Sequence, residues 1–272
     1  MIYITMKRKG IHTPTIEDIV ELSGIEALHP GGMALTKRTA ELAALKPGLK
    51  VLDVSSGRGT QSIFYAQQYG VNIVGLDLSD EMISTAKKNA EKEGVKSLVS
   101  FKKGDSQNLP FDDETFDVVI NECAVGIPDD SQKVLNEMVR VAKPGGIIVI
   151  HESTWREKLS IEEKEEISER YGTTPLEYEE WKAMLIKAGV DEIITEFDEW
   201  SKPEMFWKIR KDRDVKNFSK ILTSEEMGKT IEIITKKYGQ DGVKKALENQ
   251  KIFFQAVSGG KIGYCLFKGI KK

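Results

Sequence analysis

Asp53, Ser55, Gly57 and Gly59 fall at every second position of the run VLDVSSGRGT, just behind an apolar stretch and just ahead of a helix-like segment. The two glycines permit positive φ and let a ligand approach the backbone closely. A Gly-rich turn that opens a helix also turns backbone N–H groups toward a ligand, so this order of residues predicts a cofactor crevice at the rim of a sheet. About 24 residues after Asp53, the run VNIVGLDLS ends in Asp77 and Leu78, where a carboxylate could take both hydroxyls of a ribose. A further run ends in GDSQNLPF; Asp105 could accept from an adenine amino group and Ser106 could offer its backbone N–H to the ring. A Gly-rich turn alone is a weak signal. The specificity lies in the spacing of the three sites.

Positioning them requires strands that end side by side. From Lys50 the chain alternates VLDVS, a helix over Gly59 to Gln68, NIVGLDLS, a helix over Asp80 to Glu93, VSFKKGD, FDVVINE, a helix over Ser131 to Val141, and GGIIVIHES. Short apolar runs between helices predict a parallel sheet buried on both faces, one doubly wound α/β domain. Before it, residues 1–49 read as a helical cap. Thr15 with Asp18 forms a capping-box pattern ahead of Ile16, Ile19, Val20 and Leu22, and after HPGG a second helix carries Met33, Leu35, Ala40, Leu42 and Leu45 until Pro47 and Gly48. After Trp155, Ser160 with Glu163, Thr174 with Pro175 and Glu177, and Thr223 with Glu226 each mark a helix start. A helix from Pro175 ends at Gly189, the run VDEIITEFDEW reads as a strand, and KIGYCLFKGI reads as the last one. The expected organisation is a cap over 1–49, a core over 50–200, a helical insertion over 201–259 that serves as a lid, and a final core strand over 260–272.

With 272 residues, a net charge of −3 and a pI near 5.8, the chain suits a soluble globular protein and argues against a dedicated nucleic-acid binder. Its two cysteines, Cys123 and Cys265, support neither a disulfide framework nor a structural zinc site, so no metal is expected and a reducing cytoplasm is the simplest compartment. No run approaches the roughly 18 apolar residues of a membrane span.

From about Lys50 to Ser153 the chain resembles the class I S-adenosylmethionine-dependent methyltransferases of the small-molecule type, similar to methyltransferase-11-like proteins and more distantly to arsenite methyltransferase-like and ubiquinone or menaquinone biosynthesis enzymes. VLDVSSGRGT stands for the glycine motif, GLDLS for the acidic ribose motif, GDSQNLPF for the adenine loop, FDVVINE for the strand at the active-site rim and VAKPGGIIVI for the helix, turn and strand that follow. The GxGxxG form of a dinucleotide-binding dehydrogenase is absent. The resemblance implies a Rossmann-like, seven-stranded sheet with its last strand antiparallel. It also implies S-adenosylmethionine as cofactor, adenosylhomocysteine as product, and cofactor contacts through Asp53, Gly57, Gly59, Asp77, Leu78, Asp105 and Ser106. Ser55 replaces the usual Gly, so some backbone adjustment is expected there.

Methyl transfer of this kind asks mainly for an aligned acceptor in a dry site. The catalytic candidates are therefore the groups at the rim. Glu122 could orient a cationic or hydroxyl acceptor, and His151 could serve as base. Asn121 is assigned to the methionine end of the cofactor or to backbone support of it, and His29, in LHPGG, to a loop folding over the cofactor. A surface partner for Glu122, a structural histidine at 151 and a simple turn at 29 are the plain alternatives. Cys123 reads as a small apolar residue. Aromatic residues from Trp155 to Phe254 read mostly as lid core, with a few that could cage an amine. The basic run Lys208 to Lys216 reads as a solvated face or a handle for an anionic substrate.

These features predict transfer of a methyl group to a small molecule under a helical lid, without nucleic acid or membrane as partner; the oligomeric state and acceptor atom stay open. Arsenite as acceptor would require more cysteines than two. The alternatives are a methyltransferase of RNA or protein, against which NECA stands where an N/D-P-P-Y/F motif would be needed, and a cofactor-binding protein without catalysis.

Overall fold

The structure, a computed structural model, describes residues 14–16, 19, 23, 29–208 and 220–272. Asp18, Val20 and Leu22 of the first expected helix, and the basic run beyond Lys208 with Phe218, lie outside the described residues.

The chain proceeds as α1 (Gly32–Leu42), β1 (Lys50–Val54), α2 (Thr60–Tyr69), β2 (Asn72–Asp77), α3 (Asp80–Lys92), β3 (Val99–Lys103), β4 (Phe116–Glu122), α4 (Ser131–Val141) and β5 (Ala142–Trp155). It continues as α5 (Ile161–Tyr171), β6 (Leu176–Glu177), α6 (Tyr178–Ala188), β7 (Val190–Glu196), α7 (Pro203–Phe206), α8 (Ser224–Ser258) and β8 (Ile262–Lys271). The sheet order is β3-β2-β1-β4-β5-β8-β7, with the two-residue β6 added beside β5. Strands β1 to β5 run parallel, and β8 is antiparallel to both its neighbours, β5 and β7.

Successive strand residues face opposite ways, and the apolar runs supply both faces. Val51, Ile73, Val118, Ile120 and Val149 pack with Leu35 of α1, Ile63 and Tyr65 of α2, Ile83 of α3, and Phe253 and Val257 of α8. Leu52, Val54, Leu76, Val119, Ile148 and Ile150 pack on the other side with Leu135 and Met138 of α4 and with Trp181 and Leu185 of α6. Helix starts follow the local chemistry of their first turns. Ser79 accepts from the Met82 N–H at 3.3 Å to cap α3, and the capping boxes Ser160 with Glu163 and Thr223 with Glu226 open α5 and α8.

Three boundaries differ from the sequence reading. The helix expected from Pro175 begins at Tyr178, capped by Glu177 with Glu180, because Leu176 and Glu177 pair with Thr154 and Trp155. Helix α1 stops at Leu42 rather than running to Pro47, and Ala44 takes a left-handed φ of 48°. Strand β5 is 14 residues long, since Ala142 already pairs with Phe116 and its far end is held by β8 as far as Ile262. Within the insertion, α8 is interrupted at Gly239, whose φ of 73° and ψ of −176° are not helical.

Candidate active site

The C-terminal ends of β1, β2 and β3 lie side by side and carry the predicted nucleotide residues. Gly57 and Gly59 adopt φ of 51° and 77°, and Ser55 takes the same left-handed region at 61° although it is not a glycine. Asp77 holds the turn in place: Oδ2 accepts from the Gly57 N–H and Oδ1 from the Ser79 N–H, each at 2.9 Å. Next to it the Leu78 side chain is 66% exposed, an apolar surface standing beside a carboxylate. Across β3, Asp105 is exposed and accepts from the Gln107 N–H at 2.8 Å, while Ser106 is buried. Asp53 is buried below this rim and accepts from Ser62 Oγ at 2.5 Å. Burial pushes the Asp53 carboxyl up to about 8 against the opposing Ser62 bond, and the charges of Glu122 and Asp77 add to the rise.

A second group forms where β4 and β5 end. Glu122 and His151 are register partners on these parallel strands, so their side chains lie next to each other on one face of the sheet. His29 reaches the same point from the loop before α1, which is tethered by the Gly31 N–H donating to the Met205 carbonyl at 3.1 Å. Glu122 Oε2 lies 2.9 Å from His29 Nε2 and 3.2 Å from His151 Nε2, with the three side chains at 4%, 2% and 0% exposure. Thr36 of α1 donates to Glu122 Oε2 at 2.9 Å, and Tyr65 of α2 donates a short hydrogen bond to Oε1. His29 Nδ1 is 2.8 Å from the Pro30 carbonyl, and His151 Nδ1 is 2.7 Å from the Tyr264 hydroxyl.

Burial opposes ionisation of Glu122, but the adjoining His151 and His29 outweigh it and hold the carboxyl well below the usual carboxylate range. Burial pushes His151 down to about 4 in spite of Glu122, so its ring is neutral near pH 7. Burial likewise drives the Tyr65 and Tyr264 phenols well above their ordinary value, and both remain protonated donors.

The fold thus gathers Glu122, His151 and His29 into one cluster and sets Asp77, Leu78, Asp105 and Ser106 along the neighbouring rim. His29, expected over the cofactor, joins the two catalytic candidates. Asn121 is fully buried; its amide donates to the Val54 carbonyl at 3.0 Å and accepts from the Ala124 N–H at 2.9 Å, which braces β1 against the turn after β4. Glu152 accepts from the Val125 N–H at 2.6 Å and supports that same turn. Cys123 packs against the core with a left-handed φ of 67°. Thr36, Tyr65 and Tyr264 were not singled out from sequence: each sits in an ordinary helix or strand pattern, and only tertiary packing brings its hydroxyl to the cluster. Most of the described aromatic residues between 155 and 254 are buried, as in the Phe206–Tyr264 and Tyr171–Phe253 ring pairs, which makes them core rather than cage.

Residues 45–201, more than half of the chain, match a family model described as a methyltransferase domain. An arsenite methyltransferase of Halobacterium salinarum is 38% identical over 110 residues, 40% of this chain and 28% of that enzyme. A phosphoethanolamine N-methyltransferase of Triticum aestivum is 29% identical over 243 residues, 89% of this chain and 45% of the relative, so the chain spans less than half the length of either. Among solved structures, the [4+2]-cyclase SpnF superposes with a TM-score of 0.74 at 23% identity, covering 97% of this chain and 99% of that one. At that identity the likeness concerns the fold alone.

Proposed function

The chain belongs to the class I S-adenosylmethionine-dependent methyltransferases, and from that premise we propose that it transfers a methyl group to a small-molecule acceptor held beside the Glu122 cluster, beneath the segment 201–259. The observation that carries the cofactor half is the exposed Leu78 next to Asp77, with Asp105 and the buried Ser106 on the adjoining strand end. An apolar wall flanked by two carboxylates and a loop backbone is what an adenosine group requires. Asp77 would hold the ribose hydroxyls, Asp105 the adenine amino group, and the Ser106 backbone the ring; Asp53, Gly57 and Gly59 would bound the remainder of the ligand, and Asn121 would fix the strand end beneath it.

The cofactor supplies a methyl group on a positively charged sulfur. What the chain contributes is alignment and exclusion of water. Glu122 and His151 are the groups proposed to meet the acceptor, the carboxylate by orienting a hydroxyl or ammonium and the neutral imidazole by taking a proton where the acceptor has one to lose. The role of the 201–259 segment as a lid is supported by Phe206 of α7, which lies against Tyr264, the residue that contacts His151. Small-molecule acceptors are named for the relatives, arsenite and phosphoethanolamine among them. Arsenite fits this chain poorly, because two cysteines offer too few soft ligands.

Titration with adenosylhomocysteine and with NAD tests the cofactor half. Adenosylhomocysteine is expected to raise the melting temperature, and Asp77→Ala to weaken its binding by about tenfold or more, roughly 1.4 kcal/mol. A response to NAD with none to adenosylhomocysteine would overturn the reading. Because the fold is shared with a cyclase, activity is best read by mass, as the gain of one methylene by an acceptor from a metabolite panel together with formation of adenosylhomocysteine.

A further inference from the structure

We propose that His29, Glu122 and His151 form a binding site for one divalent transition-metal ion of the zinc type, with Glu122 Oε2 and the two histidine Nε2 atoms as its ligands. The donor atoms of these three residues all lie within 4.8 Å of one another. Zinc bonds to histidine nitrogen and carboxylate oxygen are roughly 2.0–2.2 Å long, so adjacent ligands at angles of about 90–110° sit roughly 3.0–3.5 Å apart. The observed 2.9 and 3.2 Å from Glu122 Oε2 to the two rings are close to those separations. Two histidines and one carboxylate with a vacant fourth position are a recurrent donor set for a reactive divalent ion.

The hydrogen bonds around the cluster set its tautomers. The Pro30 carbonyl can only accept, so His29 Nδ1 donates to it and Nε2 is the atom turned to Glu122, with the Thr36 hydroxyl 3.2 Å from it. The Tyr264 hydroxyl faces the His151 carbonyl at 3.3 Å, which leaves its oxygen to accept from His151 Nδ1. His151 Nε2 is likewise turned to Glu122, and although it is 3.2 Å from Oε2 it is buried with no hydrogen-bond partner. Two imidazole nitrogens and a carboxylate oxygen therefore converge in a buried place. A proton between His29 and Glu122 would satisfy one of these contacts and leave His151 Nε2 unpaired. A single ion satisfies both. Among the described residues no lysine or arginine pairs with Glu122, so an ion would supply a fixed positive charge beside this buried carboxylate. Thr36 and Tyr65, which donate to the carboxylate, complete the outer partners that a ligand set of this kind uses to fix its orientation.

With the ion in place, Glu122 and His151 would meet the acceptor through it, the vacant position taking the acceptor's oxygen, nitrogen or sulfur. That role rests on the methyl-transfer reading; the binding of the ion does not.

The full chain, stripped with a chelator and dialysed, is titrated with Co²⁺ and Zn²⁺, metal content and the visible Co²⁺ spectrum being recorded. The expected result is one ion per chain, with Co²⁺ absorption bands of nitrogen and oxygen ligation. His29→Ala and His151→Ala should each abolish both, while Thr36→Val weakens Co²⁺ binding by roughly 10–100-fold. Circular dichroism and a cooperative thermal transition report separately that the variants are folded. Should His151→Ala fail to fold, His29→Asn, in a loop outside the sheet, carries the test. No Co²⁺ spectrum in folded wild type, or the same stoichiometry in the His29 and His151 variants, would overturn the proposal. Loss of the adenosylhomocysteine response with the ion retained would instead remove the methyl-transfer reading and leave the metal site standing.

Discussion

Asp53 carries a carboxyl that the fold prefers to keep protonated, and the consequence for stability has a definite sign. Its folded value is raised from 3.8 to about 8, so its favourable contribution is fully present below the unfolded value and is lost as pH rises through the folded one. Urea unfolding should show the wild type losing stability between pH 5 and pH 8, by an amount on the order of a few kcal/mol, while Asp53→Asn flattens that slope. Equal slopes in the two proteins would contradict the assignment. Ser55 is a second residue with a cost built in. A side chain at φ 61° costs roughly 1–2 kcal/mol, and the backbone freedom of glycine offsets about 0.5–1 kcal/mol of what its removal would gain. Ser55→Gly should therefore leave stability unchanged or slightly raised, whereas Ser55→Val, with its β-branch, should lower it by about 1–2 kcal/mol in the same assay. The placement of Asp53, Asp77 and Asp105 along one rim of the sheet was legible in sequence because it is tied to short local motifs at strand ends. The convergence of His29 on Glu122 was not, since the two are 93 residues apart and meet only through a loop anchored to α7.

Alternating strands and helices in the core were legible because each buried strand needs an apolar run and each helix start needs a cap, and both leave local marks. Boundaries set by pairing left none. Pro175 looks like a first-turn proline until Leu176 and Glu177 are seen to pair with β5, and β5 reaches Trp155 only because β8 accompanies it. The break in α8 has a local cause instead. Gly239 holds φ 73° and ψ −176°, a conformation open essentially to glycine alone, and nothing lies within 4 Å of where its Cβ would be. The cost of a side chain there is confined to the backbone. Gly239→Ala should lower stability by about 1–3 kcal/mol in denaturant unfolding; an unchanged midpoint would mean that the break is not enforced at this residue.

At the scale of the whole molecule, elements from before and after the core touch each other beside the Glu122 cluster. The Gly31 N–H bonds to the carbonyl of Met205 in α7, Arg38 of α1 donates to Glu196 of β7 at 2.6 and 2.8 Å, and Thr36 of α1 reaches Glu122. The loop before α1 and helix α7 should therefore open as one unit. Hydrogen exchange on adenosylhomocysteine binding should slow in 29–42 and 203–208 together, and protection gained in one without the other would separate them. Composition and motif order revealed a single α/β domain with flanking helices, but the joining of the two flanks depends on contacts more than 150 residues apart in the chain, as between Arg38 and Glu196, for which sequence offers no local sign. The position of β8 bears on how such a protein is made. β7 is joined to the sheet through β8, which pairs with β5 on its other side and follows β7 by more than 60 residues. During synthesis the sheet must wait at β5 with an unpaired edge, exposed to any neighbouring nascent chain, until β8 arrives to complete it.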